Sequence, residues 1–481
     1  MTTLYPSEAE FALGPLAYIE SVSHEVASSG VAHIVPPASW DPPTLAIRSG
    51  VDGINESSFR FGVRIQPTSA LCHRRPNRPG AVFGFVRGSR TYTLREFEAR
   101  CRDFNERYFD GEAAPSVEEV EEAFWRIVGE KDGAEKRMEV FAEYGSDLDN
   151  IENGSGFPMP RGLRMDEFNR RCVQDRVDVA PDSAIDVNTE AYRSHPWNVN
   201  NFSLHPRSVL SYLVDEAKED PGLVSGVMVP WLYVGSTFAA FNWHIEDHGL
   251  YSVNYLHEGA PKVWYCVPPD QSDAFEVAMR DALPELFDAS PDLLSQLVTQ
   301  LDPRELRARG VDVYRVVHTP GSFIVTMPNT YHTGFNVGFN VAESSNFAAL
   351  PWLPHSKAVV AKYAEVGRSR PVSISHDMLL VRIIERCREP DIVLVAKREL
   401  RLRIAELSEW WVAAMAGASR CSRQQPATDE ADCAVCETDL WLVACVVGDT
   451  MVCLKHAVSS SNDDLLVSYR YTLEELTLLC N

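Results

Sequence analysis

His244 and Glu246 stand two positions apart in FNWHIEDH, and that spacing suits metal chemistry. On a β-strand, residues i and i+2 point to the same side. An imidazole and a carboxylate so placed reach one ion without bending the backbone. His332, in Asn329-Thr330-Tyr331-His332, is a third ligand of suitable type on a later strand. Two histidines and one carboxylate leave positions open on an octahedral metal, the arrangement suited to non-haem iron(II). An oxoacid and dioxygen need such positions. An H-x-E triplet alone is also explained by two polar residues on a solvated strand, and His248 and His257 compete for the metal. A second constellation follows near the C-terminus. Cys433-x2-Cys436, sixteen further residues and Cys453-x2-His456 match a tetrahedral zinc pattern, with buried thiols as the alternative.

The segments around these residues predict how they are held. From Trp197 to Pro354 the chain breaks into short β-like runs: VMVPWLYVG, FAAFNWHIE, YSVNYLH, KVWYCVP, VYRVVHT, SFIVTMP and FNVAESSNF. Many short strands with turn signals indicate an all-β barrel or double-sheet sandwich. One helical interruption falls at about 270–307. Upstream, Ser7 caps a first helix, with Glu8 and Glu10 in its first turn, and Val31–Val35 reads as a strand closed by Pro36 and Pro37. Residues 48–90 look loop-like, with Arg64-Ile65-Gln66 as a short strand. Thr93 to Phe109 is helical, and a second helix starts near Ser116 with SVEE as its capping box. MEVFAEYG is extended, and 159–192 reads as an inserted loop. Beyond 355 three helices are expected, at 355–366, 375–388 and 391–416, then a cysteine-bearing tail.

Composition sets the frame. The chain has 481 residues, 45% hydrophobic and 23% charged, enough for two or three domains with sizeable cores. Its formal net charge of -23 disfavours wrapping a nucleic-acid backbone and suits a basic peptide. No run of about 18 apolar residues is present, so no transmembrane helix is expected. The N-terminus lacks a signal-peptide profile, so the eleven cysteines read as thiols or metal ligands rather than disulfides.

Three runs then carry a resemblance: VPWLYVG (229–235), FNWHIEDHGLYSVNYLHEGAPKVWYCVP (241–268) and HTPGSFIVTMPNTYHTGFNVGFNVAESSNF (318–347). They resemble the JmjC histone lysine demethylases. Residues 1–47 are similar to a JmjN domain, which packs against the catalytic barrel in that family. Arg64-Ile65-Gln66, YTLREFEARCRDFNERYF, FWRIV, EYGSD and GSGFP resemble the linker of plant-type lysine-4 demethylases. The resemblance implies a mixed α+β chain around a double-stranded β-helix, a jelly-roll or cupin-like barrel, with helical and zinc-binding C-terminal parts. Its segments would be 1–47 (JmjN), 48–192 (linker and mixed region), 193–360 (JmjC barrel), 361–417 (helical) and 418–481 (zinc finger).

By the same resemblance, His244, Glu246 and His332 hold iron(II). Lys262 pairs with the distal carboxylate of 2-oxoglutarate, which gives an interior lysine its partner. Tyr144 donates to that carboxylate, and Asn254, Phe241, Ser252 and Trp264 complete the cosubstrate pocket. Ser252 and Asn254 share one strand face, while Phe241 and Trp264 also fit as core aromatics. Tyr233 lies beside the methylated ammonium, with Ser344, Ser345 and Asn346 near its methyl groups and Asn336 close to the iron. With dioxygen, this set implies oxidative demethylation yielding succinate, CO2 and formaldehyde. Cys433, Cys436, Cys453 and His456 hold structural zinc. The family finger carries further cysteines for a second zinc. Here VVGD and SSSNDD replace some of them, leaving Cys445 and Cys421 as spare ligands. The core lacks the separate zinc-site cysteines of lysine-9 and lysine-36 demethylases, which points to lysine 4 of the histone H3 tail. Lysine 9 or 36, a protein hydroxylase and a non-catalytic chromatin scaffold are the alternatives. No DNA-binding module is recognised, so chromatin-targeting partners and a nuclear location are expected.

Overall fold

A computed structural model of the chain describes residues 3–43, 45–71, 85–129, 140–160, 187–214, 222–359, 373–423, 432–436, 438–459 and 465–481. The chain forms two compact units: Met1–His205 with Ser225–Phe347, and Pro206–Val224 with Ala348–Asn481. Each gathers more than one of the sequence segments.

Two sheets make the first unit. The larger has nine strands, in the order β1 (Thr3–Leu4), β2 (Val31–Ile34), β11 (Phe323–Thr326), β8 (Tyr251–Gly259), β13 (Asn340–Phe347), β6 (Trp231–Gly235), β5 (Phe141–Asp149), β3 (Phe61–Pro67) and β4 (Val86–Tyr92). The smaller runs β10 (Tyr314–His318), β9 (Lys262–Val267), β12 (Tyr331–Asn336), β7 (Ala240–His244). Apart from the parallel pair β1–β2, the pairings in these sheets are antiparallel. Large antiparallel sheets with helices outside them agree with the expected jelly-roll barrel.

Alternation along the strands separates chemistry from packing. On β9, Lys262, Trp264 and Cys266 face one way; on β12, His332, Gly334 and Asn336 do. The register sets Asn336 opposite Lys262 and His332 opposite Cys266, so these faces coincide. The other face packs under helices. Phe124 of the helix Val117–Gly129 stacks on Phe335 with centroids 4.2 Å apart, and Trp125 Nε1 donates to the Tyr265 hydroxyl at 2.8 Å. Phe275 of the helix Ser272–Ala282 lies 4.2 Å from Tyr331. Burying each such aromatic contributes about 2–3 kcal/mol, so this layer holds the strand that carries His332 and Asn336. On the inner side, Val31 and Ile324 of the large sheet meet Trp264, Cys266 and Val316 of the small one.

The N-terminal segment joins the barrel through its backbone. Ser7 and Glu10 form a reciprocal cap on the turn Glu8–Phe11, and the helix Pro15–Val26 follows. Strand β2 then pairs with β11, placing His33 opposite Ile324. The JmjN-like part therefore extends the large sheet as well as packing against it.

Behind β13 the Glu343 carboxylate is fully buried and satisfied. It accepts hydrogen bonds from Asn150 Nδ2 (2.5 Å), Ser155 Oγ (2.7 Å), Gly156 N (3.0 Å), Asn200 Nδ2 (3.0 Å) and His257 Nε2 (3.0 Å). A buried charge is tolerated only with such partners, and this one ties the segment 150–156 to the barrel.

Some expectations change. Residues 48–90, read as mostly loop, hold β3 and the start of β4. Strand β4 is a sheet edge with exposed arginines, and its charge hid the pattern. The helices Leu94–Tyr108, capped by Thr93, and Val117–Gly129 match expectation, and Ser116 and Glu119 bond reciprocally. Most of 159–192, and the part of 355–366 after 359, lie outside the described residues.

In the second unit, the helices His376–Arg386 and Pro390–Gly417 pack together, joined by Arg403 gripping Asp377 with two bonds at 2.9 and 3.0 Å. A four-stranded sheet follows, in the order β14 (Arg420–Ser422), β17 (Leu465–Tyr469), β15 (Val443–Val447), β16 (Thr450–Val452). Partly buried Asp439 accepts from Ser375 Oγ at 2.5 Å and from Asp377 N at 3.0 Å. It thereby clamps the start of the first helix to the cysteine-bearing segment.

Candidate metal centre and its pocket

His244 ends β7, and the register sets it opposite His332 on β12. Their rings lie 4.2 Å apart, and Glu246 Oε1 is 3.3 Å from His332 Nε2. One ligand atom from each of the three residues lies within 4.8 Å of the others. His244 Nδ1 sits 2.6 Å from Asn242 O, and His332 Nδ1 sits 2.9 Å from Thr330 O. A carbonyl oxygen only accepts, so each Nδ1 carries a proton and is anchored, and Nε2 is the nitrogen of each ring left to serve as a metal ligand. Burial pushes the Glu246 carboxyl up. The His332 bond and charge, the nearby His244 and the Asn346 amide outweigh it and hold the carboxyl at about 2. Two imidazoles anchored at Nδ1 and one ionised carboxylate fit a divalent first-row ion such as iron(II). The rival histidines are elsewhere. His257 is bound to Glu343, and His248 sits in a left-handed turn at φ 56°; neither joins a metal-ligand group among the described residues.

Lys262 is 4% exposed, and no carboxylate among the described residues lies within ion-pair reach. Its ammonium donates to Asn336 Oδ1 at 2.5 Å and lies 5.7 Å from the Tyr144 ring. Burial lowers its pKa to about 7. A buried cation lacking a counter-ion fits an incoming carboxylate, which would restore its charge. Tyr144 hydrogen-bonds Asn336, and burial raises its phenol pKa, so it remains a neutral donor. On β8, Ser252 Oγ lies 2.7 Å from Thr326 Oγ1, and Asn254 Nδ2 is 3.4 Å from Ser252 Oγ. Phe241 packs 4.5 Å from Trp264, which stacks at 5.7 Å on His332. Gly334 makes room for this: a Cβ there would lie 2.4 Å from the Phe241 ring.

Three residues expected near the methyl groups or iron have hydrogen-bond partners of their own. Asn336 belongs to the Lys262 end, where it also accepts from Asn340 Nδ2 at 3.0 Å. Asn346 donates to Glu246 Oε2 at 2.8 Å, and so holds the second oxygen of that carboxylate. Ser345 turns away, bonding Ser203 Oγ at 3.0 Å and Val227 O at 3.1 Å. Alternation is the reason: on β13, 344 and 346 share one face and 345 takes the other. Tyr233 remains beside Tyr144 with rings 5.9 Å apart, and its hydroxyl bonds Ser344. Asn340 and Gly235 escaped the sequence reading. A Cβ at Gly235 would sit 2.4 Å from Asn340 Oδ1 and 2.6 Å from Asn336 Cγ, so a small residue is needed behind that pair. Their positions in VPWLYVG and GFNVGFN carried no chemical signal.

In the second unit, Cys433, Cys436, Cys453 and His456 bring their ligand atoms within 4.8 Å of one another. His456 offers Nδ1, 3.5 Å from Cys433 Sγ and 3.3 Å from Cys453 Sγ. Cys453 begins the short helix Leu454–Val458, and one turn of helix brings His456 round to the same side. Three thiols and an imidazole fit a closed tetrahedral zinc. Cys445 is buried in β15 and Cys421 lies against Met415, outside any metal-ligand group among the described residues.

Residues 2–36 match the model of the jmjN domain, 231–347 that of the JmjC domain, described as a hydroxylase, and 433–479 that of the C5HC2 zinc finger. Lysine-specific demethylase JMJ703 of Oryza sativa subsp. japonica is 34% identical over 540 residues, spanning 99% of this chain and 40% of that protein. Putative lysine-specific demethylase JMJ16 of Arabidopsis thaliana is 32% identical, spanning 99% of this chain and 43% of that protein. Lysine-specific demethylase 5B of Gallus gallus is 34% identical, spanning 84% of this chain and 25% of that protein. The chain thus spans less than half the length of the curated relatives it matches.

Proposed function

This chain carries JmjN, JmjC and C5HC2 zinc-finger domains and is similar along nearly its whole length to proteins named lysine-specific demethylases, and from that premise we propose that it is an iron(II)- and 2-oxoglutarate-dependent dioxygenase that demethylates lysine on the histone H3 tail, with lysine 4 as the preferred site. The observation that carries the reading is the pairing of two features within the first unit. His244, Glu246 and His332 gather their ligand atoms, and the buried ammonium of Lys262 has no carboxylate partner among the described residues.

His244, Glu246 and His332 would hold the metal. Lys262 and Tyr144 would bind the distal carboxylate of the oxoacid, with Asn336 orienting both. Iron(II) with oxoglutarate and dioxygen supplies, when bound, the oxidation of an N-methyl group that ends in formaldehyde release, with succinate and CO2 as co-products. The protein's part is placement. Asn346 fixes the Glu246 carboxylate, and the packed rings of Trp264 and Phe241 form one wall of the pocket. Tyr233, held by Ser344, presents a neutral ring and a hydroxyl oxygen to the methylated ammonium. The chain's net charge of -23 suits a basic tail, and a nuclear location with chromatin-targeting partners follows from that substrate.

Mass spectrometry of H3 tail peptides trimethylated at lysine 4, 9 or 36 tests this. The protein is supplied with iron(II), oxoglutarate and ascorbate. Loss of one methylene mass from the lysine-4 peptide is the expected result. Loss from another peptide would reassign the lysine, gain of one oxygen would indicate a hydroxylase, and no change with any peptide would leave a scaffold.

A further inference from the structure

Two buried polar atoms beside Lys262 have no role in the reading above. Trp264 Nε1 and His318 Nδ1 are both buried and lack a hydrogen-bond partner among the described residues. His318 is fully buried and stands in register with Lys262 across β10 and β9. Asn336, Lys262 and His318 therefore form one row across three strands, on the face that carries the metal ligands. The His318 ring lies 6.0 Å from Trp264 at 62°.

The bonding assigns the protons. His318 Nε2 is 2.8 Å from Ser322 O, which only accepts, so Nε2 is protonated and Nδ1 holds a lone pair. Burial keeps the ring neutral by lowering its pKa to about 3, and the charges of His33 and Lys262 add to the effect. Trp264 Nε1–H is a donor only. A donor without an acceptor and an acceptor without a donor thus sit on two neighbouring rings, and leaving both unmade is costly. A bare carboxylate oxygen cannot serve both, because it would set a lone pair against the lone pair of His318. A group with a hydroxyl hydrogen and a lone pair serves both.

We infer that Trp264 Nε1 and His318 Nδ1 form a polar subsite next to Lys262 that takes one hydroxyl-bearing group, a water molecule when the oxoacid is bound. The subsite rests on the oxoglutarate reading of Lys262. The N-terminal strands hold its geometry. Ser322 Oγ donates to Thr319 O at 2.7 Å, so it accepts from His33 Nε2 at 3.1 Å. His33 Nδ1 in turn accepts from Thr3 Oγ1 at 3.2 Å. Strands β1 and β2 therefore steady the Ser322 turn, whose carbonyl aims His318. The same arrangement excludes a second carboxylate oxygen from the His318 side and directs the anion to Lys262 and Tyr144.

The test uses the full chain loaded with manganese(II) and titrated with N-oxalylglycine, a non-reacting oxoacid. Trp264→Phe and His318→Leu are each expected to weaken binding about fivefold, the worth of one hydrogen bond. The double variant is expected to bind no more weakly than the weaker single variant, because either change releases the same water. His318→Gln, which keeps an acceptor, is expected to recover most of the loss. A high-resolution crystal structure of the parent is expected to show a solvent peak within hydrogen-bond reach of both atoms. Additive losses, or no such peak, overturn the subsite. If His318→Leu fails to fold, Trp264→Phe, His318→Gln and the solvent peak still decide. A parent that binds no N-oxalylglycine would instead overturn the oxoacid reading, and the peak in ligand-free crystals would then judge the subsite alone.

Discussion

At the residue scale, Lys262 and Asn346 make the sharpest predictions. The unfolded chain keeps the Lys262 proton up to its ordinary 10.5, whereas the folded, ligand-free protein releases it near 7. Between those values the unfolded state binds more protons, so this residue makes ligand-free stability rise with pH. Oxoacid binding needs the ammonium and runs the other way, weakening by up to about tenfold per pH unit above 7. Lys262→Met should abolish both trends, cut N-oxalylglycine affinity by roughly a hundredfold and leave the ligand-free melting temperature unchanged or higher. Calorimetric titration across pH with parallel melts measures all three, and an unchanged affinity in the variant would reject the role of Lys262. For Asn346→Ala, manganese(II) affinity should fall about tenfold or more, since Glu246 loses the amide that orients its second oxygen. A metal titration followed by water-proton relaxation reads this without turnover.

At the element scale, β13 serves two masters. One face carries Ser344 and Asn346 toward the site, while the other carries Glu343 into its buried network. Glu343→Leu strands His257, Asn150 and Asn200 without their acceptor. It should destabilise the first unit by about 3–5 kcal/mol, measured as a lower urea midpoint. Glu343→Gln keeps an acceptor oxygen and should lose clearly less. Equal losses for the two variants would mean that the network contributes packing and not polar anchoring. Strand β2 is the second telling element. Its sequence, VAHI, reads as a plain buried strand, yet pairing with β11 makes it a wall of the barrel.

At the scale of the whole molecule, the metal count follows from the ligand groups. The finger-like segment gathers four zinc ligands, and Cys445 and Cys421 stand apart from them. Purified protein should therefore hold one tightly bound zinc per chain by elemental analysis. Two equivalents would show that residues outside this group complete another site. Cys436→Ser should release that zinc and lower the melting transition of the second unit, because a closed zinc site contributes folding energy directly. Its sheet is small, and Asp439 couples the cysteine segment to the helix His376–Arg386.

The sequence alone was enough to find the metal-binding types and spacings, most of the strands and helices and the family resemblance. These depend on local periodicity and on motifs that survive without knowledge of the fold. It did not reveal that Asn346 serves Glu246, that Asn336 serves Lys262, that Ser345 turns away or that His33 and His318 approach the same pocket. Each depends on which strands are neighbours and in what register, and one residue of slip would exchange the two faces of a strand. Pairing between segments hundreds of residues apart is a tertiary fact. It decides which side chains of a buried polar row meet each other and which are left for a ligand.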